Sequence, residues 1–239
     1  MASPVLRRGR DATRAVTASL VPLVTKRRVL LAASGLCWGL AASGLCWGLA
    51  VCSGLIVMPN YANRPGVAAT PPTHWPAASR IERLEGLATL VMLVHPRCPC
   101  SRASIEELDR LMVRSRGLVA TRVLFLKPSD VPEDWEKTDL WRSAAAIPGV
   151  QVMRDDDGVE AARFGAATSG QVILYDRDGG LLFTGGITAS RGHAGDNDGR
   201  NAIVSLLGRG RETRHSSPVF GCSLLEPASS GTSRVNDAY

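Results

Sequence analysis

The chain has 239 residues, 28 Lys+Arg against 22 Asp+Glu, and a formal net charge of +6. That length holds one ordinary domain plus extensions. Only 5% of the residues are aromatic, and they do not interleave with basic ones. Stacking on single-stranded nucleic acid is therefore excluded, and no nucleic-acid partner is expected.

The positive charge is concentrated at the start. Arg7, Arg8, Arg10, Arg14, Lys26, Arg27 and Arg28 all precede Val29–Met58, a stretch with no charged residue. A basic arm that abuts an apolar span reads as a topology signal, not as a nucleic-acid tail. The span exceeds the ~20 residues a bilayer core needs. The excess has a visible origin, because Leu31–Gly39 recurs at once as Leu40–Gly48. Removing one copy leaves about one span, so the pattern is a tandem duplication inside a single helix and not a solenoid. The offset turns the copies to opposite faces, and Cys37 and Cys46 read as small apolar fillers. A cleavable signal peptide, with an apolar core of ~7–15 residues, is too short to account for the stretch. Leu49-Ala50-Val51-Cys52 is a poor lipoprotein site, since valine precedes the cysteine and the apolar run continues past it. We assign 1–28 to a basic cytoplasmic arm and 29–58 to a transmembrane anchor. Everything after Met58 then lies outside the cell membrane, on the periplasmic side in a bacterium, where disulfides persist.

Residues 59–79 carry Pro59, Pro65, Pro71, Pro72 and Pro76 and read as a semi-rigid linker. Trp75 within it serves either at the membrane surface or as a cap on the domain edge. A soluble domain is expected over 80–208. Ile81–Leu87 suggests a short amphipathic segment, Thr89–Val94 a buried strand and Ser101–Arg116 a helix with Ile105, Leu108, Leu111 and Met112 at helical spacing. Leu118–Leu126 follows as a strand, Glu133–Ala146 as a helix after Pro132, and Val150–Met153 as a short strand. Asp155-Asp156-Asp157-Gly158 lacks the spacing and distal glutamate of a calcium loop and reads as a solvated turn. Glu160–Phe164 is a turn or two of helix. Gln171–Tyr175 and Leu181–Thr184 form a hairpin around Asp176–Gly180, and Asn201–Leu207 is the last helix. This order predicts parallel crossovers followed by an antiparallel hairpin.

Of the six cysteines, Cys98, Cys100 and Cys222 lie beyond the apolar stretch. Three such thiols cannot all pair within one molecule. Cys98-Pro99-Cys100 stands where the first strand hands over to a helix. The unpaired N–H groups and dipole of a helix start favour a thiolate there. Arg97 and Arg102 are expected to push the same way. In the tail, 209–239, Ser217–Leu224 is an apolar patch in polar surroundings and is predicted to dock.

Cys98-Pro99-Cys100-Ser101-Arg102-Ala103-Ser104-Ile105-Glu106-Glu107-Leu108 resembles the active-site helix of membrane-anchored thioredoxin-like proteins, which read C-P-P-C-R-A-E-x-P-E-L, and within that superfamily the RedB-type branch. The resemblance covers about 80–208. It implies an α/β fold, a thioredoxin-like mixed sheet flanked by helices, here preceded by one transmembrane helix. It makes Cys98 the attacking cysteine and puts Ser101 at the resolving position, so the usual C-x-x-C disulfide cannot form. It puts Gly170 where the family keeps a cis-proline and Ser169 before it, suggesting a more open backbone beside the thiol. It also brings the loop Gly185–Asn197 near the cysteines. There Arg191 could hold a thiolate or an anionic substrate, and His193 could shuttle a proton or bind metal. Equally, both could be surface residues.

A last helix of roughly 15 Å and a tail reaching ~45 Å when extended allow Cys222 to return to the active-site end. Cys222 is thus a candidate replacement for the missing resolving cysteine, against the alternative of a buried free thiol. Two chemistries lead. In the first, Cys98 exchanges with protein thiols and disulfides without a cofactor, and Cys100 or Cys222 resolves. In the second, His95, Cys98, Cys100 and His193 or Cys222 handle copper as soft ligands. A structural staple is weaker, because it needs no helix start flanked by arginines. A peroxidase is weaker still, since His95 stands where that family keeps a threonine.

Overall fold

The computed structural model describes residues 38–67, 70–208 and 214–224. The basic arm 1–28, the start of the apolar stretch with Cys37, and most of the tail, 209–213 and 225–239, lie outside the described residues. The chain divides into two compact units, 1–58 and 59–239. Helix α1 spans Trp38–Ala62, has a mean hydropathy of 1.9, and is long and apolar enough to cross a membrane. It runs past Met58 and through Pro59, so the helix ends later than the apolar stretch does.

The second unit holds β1 (Ala88–Val94), α2 (Ser101–Arg114), β2 (Val119–Lys127), α3 (Asp139–Ala145), β3 (Val150–Asp156), α4 (Val159–Arg163), β4 (Gln171–Tyr175), β5 (Leu181–Gly185) and α5 (Asp198–Gly208). The strands form one sheet in the order β3-β2-β1-β4-β5. β1 pairs in parallel with β2, and β2 with β3. β4 runs antiparallel to β1 and to β5. Two parallel crossovers followed by an antiparallel hairpin, with helices on both faces, make the fold thioredoxin-like.

The continuous apolar runs of β1, β2 and β4 follow from burial on both faces. Leu90, Met92 and Val94 pack with Ile105, Leu108 and Leu111 of α2 and Ile203 of α5 on one side. Val91 and Leu93 pack with Phe164, Ile173 and Tyr175 on the other. Trp75 joins this second layer, edge to face with Phe164 at 5.0 Å and Tyr175 at 5.3 Å. It therefore caps the domain, and residues 70–79 belong to its packing. His74 bridges Gly180, and the Tyr175 hydroxyl donates to the Pro72 carbonyl at 3.1 Å. Ile81 is the buried residue of its segment, which forms no helix or strand.

Two local expectations change. The helix expected from Glu133 starts only at Asp139, because 132–137 coils into turns closed by Trp135 N–H to Pro132 and Lys137 N–H to Asp134. Those turns aim Trp135 at His95 and Arg97. Asp155 is not a solvated turn residue. It is 3% exposed, and its carboxylate accepts the Glu160 and Ala161 N–H groups at 2.8 and 2.9 Å. It thereby caps α4, whose first N–H groups have no other intrahelical partner.

A buried carboxylate ties α2 to the loop after β5. Glu107 accepts the Gly195 N–H at 2.8 Å and the Asn197 amide at 3.2 Å, and pairs with Arg200 of α5 and with Arg110. This fixes the base of the loop that carries Arg191.

Candidate active site at the start of helix α2

β1 ends at Val94, and two turns carry the chain into α2, with Cys98 N–H to His95 at 3.1 Å and Ser101 N–H to Cys98 at 3.1 Å. Both near cysteines are thus set beside the helix start. The tail supplies the third. Ser169 N–H donates to the Cys222 carbonyl at 2.8 Å, Leu224 N–H donates to Ala167 at 2.9 Å, and Thr168 bridges Ser223 in antiparallel fashion. Leu224 is 3% exposed within the second core layer. Gly221 is required at this docking point, because a Cβ there would lie 1.9 Å from the Ser169 carbonyl oxygen.

Docking sets Cys222 Sγ 2.8 Å from Cys98 Sγ. The sulfurs of Cys98, Cys100 and Cys222 all lie within 4.8 Å of one another. Burial pushes the Cys98 thiol up, but hydrogen bonds from Cys222 and Ser101 outweigh it and hold Cys98 below the ordinary thiol value. Cys222 is pushed up to about 12 by burial, by its bond to Cys98 and by the charges of Cys98 and Cys100. Cys100 is also raised, by burial and then by Cys98, with Arg191 opposing. Once Cys98 is ionised, Cys222 is the donor between them. The triad therefore carries one preferred thiolate, at Cys98.

The serines hold this arrangement. Ser169 Oγ accepts the His95 N–H at 2.7 Å and shares a 2.7 Å hydrogen bond with Ser101 Oγ. Ser101 thus bonds to Cys98 from the position that the resemblance gives to a second cysteine. Gly170 does not open the backbone as expected. Its φ is 86°, its N–H donates to Leu93, and a Cβ would meet Ser104 Oγ at 2.7 Å, so Ser104 fills the space above it.

The expected arginines are turned elsewhere. Arg97 lies over the Trp135 ring at 4.8 Å, and Arg102 pairs with Asp139. The cation at the sulfurs is Arg191, which hydrogen-bonds Cys100 and lowers both Cys100 and Cys222 against the other effects. Its Nη1 donates to the Gly221 carbonyl at 2.6 Å and its Nε to Arg64 at 3.1 Å, and it sits over Tyr61 at 5.2 Å. His193 is exposed in the same loop, and neither it nor His95 joins the metal-capable group found among the described residues. His95 Nδ1 accepts the Arg97 N–H at 3.2 Å and its ring meets Trp135 edge-on at 5.5 Å. Sequence reasoning missed Tyr61, Trp135 and Gly221. None stands in a motif, and their parts follow only from which loops meet.

No family model matches the chain, and no curated protein matches it. Solved structures do. An uncharacterized conserved protein from Geobacillus kaustophilus is similar over 70% of this chain and 94% of its own, at 22% identity and a TM-score of 0.51. A hypothetical protein from Sinorhizobium meliloti is similar over 67% and 93%, at 23% identity and 0.50. A secreted disulfide oxidoreductase from Mycobacterium tuberculosis is similar over 52% and 82%, at 14% identity and 0.39. These likenesses concern the fold.

Proposed function

We propose that this protein is a membrane-anchored, extracytoplasmic thiol–disulfide oxidoreductase of the thioredoxin-like superfamily, with Cys98 as nucleophile and Cys222 as resolving thiol. The observation that carries the reading is the 2.8 Å approach of Cys222 to a Cys98 whose thiolate is favoured. The Cys98 thiolate attacks a substrate disulfide. A mixed disulfide forms, and one substrate sulfur leaves as thiolate. Cys98 then no longer bears charge. That removes two of the effects that raise Cys222, while Arg191 continues to act on it. Cys222 ionises, attacks Cys98 Sγ and releases the second substrate thiol. Two electrons have then passed to the substrate and a Cys98–Cys222 disulfide remains. Cys100 stays within reach as a second resolving group. The apolar α1 and the basic residues before it support the anchor and the outward-facing domain.

The test is trapping. The full chain with both Cys222→Ala and Cys100→Ala, mixed with a disulfide-bearing protein and quenched with acid, is expected to accumulate a mixed disulfide at Cys98. Wild type is expected to yield free substrate thiol and a Cys98–Cys222 bond by mass mapping. Full turnover in Cys98→Ser overturns the reading.

One observation favours a second reading, copper binding or transfer. Three sulfurs within 4.8 Å form a soft donor set that suits Cu(I), with Cys98, Cys100 and Cys222 as the ligands. Tight Cu(I) binding lost in Cys98→Ser and Cys100→Ser, without catalysed exchange by wild type, would move the assignment to that chemistry.

A further inference from the structure

The last turn of α1 meets the loop that follows β5. Residues from Pro59 onward belong to the second unit, so this turn is part of the domain. The final carbonyls of a helix have no intrahelical donor and must find one elsewhere. Asn63 N–H closes on the Pro59 carbonyl at 2.9 Å, and Arg64 N–H on the Tyr61 carbonyl at 3.3 Å. The Ala62 carbonyl instead accepts the Arg191 N–H at 2.9 Å. The Arg191 side chain extends this cap. Its Nε donates to the Arg64 carbonyl at 3.1 Å, and its guanidinium lies over the Tyr61 ring at 5.2 Å. A cation there also meets the negative end of the helix dipole.

The other edge of the same guanidinium belongs to the thiol site. Nη1 donates to the Gly221 carbonyl at 2.6 Å, next to Cys222, and the side chain hydrogen-bonds Cys100. A guanidinium is planar, with its N–H donors in a fixed fork. Fixing one edge therefore fixes where the other presents its charge. The residues just after α1 hold the tail as well. Gly66 N–H donates to the Val219 carbonyl at 2.8 Å, and Thr168 Oγ1 donates to the Val67 carbonyl at 3.1 Å. Ala62 and Arg64 reach Arg191 through their main chain, so Tyr61 is the side chain through which the end of α1 acts on it. The Tyr61 ring is 63% exposed, so the core does not demand it.

We propose that Tyr61 is a positioning residue: with the Ala62 and Arg64 carbonyls it holds the Arg191 guanidinium against the tail and Cys100, and so couples the end of the apolar helix to the thiols. The kinetic consequence rests on the oxidoreductase assignment above. Held in place, Arg191 sets its charge beside Cys100 and Cys222, the two thiols that can resolve a mixed disulfide at Cys98. Released, it slows resolution and leaves the attack by Cys98 as it was, since Arg191 is not among the causes acting on Cys98.

The experiment uses the full chain in zwitterionic nanodiscs and a disulfide-bearing protein, with attack and resolution separated by rapid mixing and acid quench. Tyr61→Leu is expected to slow resolution about two- to five-fold, the loss of an exposed cation–π contact, with the attack rate unchanged. Tyr61→Phe keeps the ring and is expected to restore the wild-type rate. In an Arg191→Gln background, Tyr61→Leu is expected to add no further loss, because the two act as one unit. Wild-type resolution in Tyr61→Leu, equal slowing in Tyr61→Phe, equal slowing of attack and resolution, or an additive loss in the Arg191→Gln background overturns the proposal. Hydrogen exchange at the Arg191 amide supplies a second measurement that needs no turnover. This amide is expected to be protected in wild type and to exchange faster in Tyr61→Leu. An unprotected amide in wild type, or equal rates in the two proteins, overturns the proposal. Absence of catalysed exchange by wild type would overturn the oxidoreductase assignment alone, and the amide measurement would then decide the role of Tyr61.

Discussion

The proposed chemistry rests on a hydrogen bond between two sulfurs. Cys98 is buried, which by itself favours the thiol, and it is the donors on Cys222 and Ser101 that reverse the balance. Removing either donor takes away part of what offsets burial, so the Cys98 pKa is expected to rise. Thiolate absorbance followed against pH is therefore expected to reach its Cys98 midpoint at higher pH in Cys222→Ala and in Ser101→Ala than in wild type. Because the folded Cys98 value lies below that of an ordinary thiol, the wild-type midpoint is expected below that of a free cysteine. Substituting Arg191 acts differently. It lowers Cys100 and Cys222 and is not among the causes acting on Cys98. Arg191→Gln is thus expected to leave the Cys98 midpoint in place and to slow resolution of the mixed disulfide. At this scale the cysteines were visible in the sequence, since few residue types carry such chemistry and their spacing at a strand–helix junction is informative. The charge around them was not. Arg97 and Arg102 are neighbours along the chain but point to Trp135 and Asp139, whereas Arg191 is far in sequence and adjacent in space.

Among the elements, the tail segment is the one that assembles the site. It lies against Ala167–Ser169 by backbone hydrogen bonds, and Gly221 allows the close approach. Gly221→Ala would force a Cβ into the Ser169 carbonyl, which backbone on both sides cannot accommodate cheaply. The expected outcome is faster alkylation of Cys98 and a reduced yield of the Cys98–Cys222 disulfide, with the sheet intact by circular dichroism. The α2–α5 contact makes a separate prediction. The side chains of Glu107 and Arg200 are 0% and 6% exposed. Removing one partner leaves the other charged and buried, at a cost of about 3–5 kcal/mol. Urea denaturation of Glu107→Leu is expected to show a loss of that size, and Glu107→Leu with Arg200→Met to recover part of it, since the Gly195 and Asn197 donors still lack their acceptor. The short α3 illustrates why element ends were less legible than element existence. Residues 133–138 have helix-compatible composition, yet they form turns in which Trp135 meets His95 and Arg97.

For the whole molecule, α1 is long and apolar enough to cross a membrane, and the three sulfurs lie in the thioredoxin-like unit. If α1 crosses a membrane, the full chain is expected to sediment with membranes and to resist carbonate extraction, whereas a chain lacking 1–62 is expected in the soluble fraction.

The sequence by itself determined the apolar span, the strand–helix alternation and the position of Cys98 and Cys100, because each is written in local periodicity or spacing. The hairpin and crossovers followed from the order of elements under the handedness and burial rules of parallel sheets. Tertiary structure decided which cysteine partners Cys98, which cation reaches the sulfurs and what fills the space at Gly170. Each of those depends on two segments distant along the chain arriving within a few ångströms. Such contacts are set by the packing of the whole core and leave no periodic trace in the residues that make them.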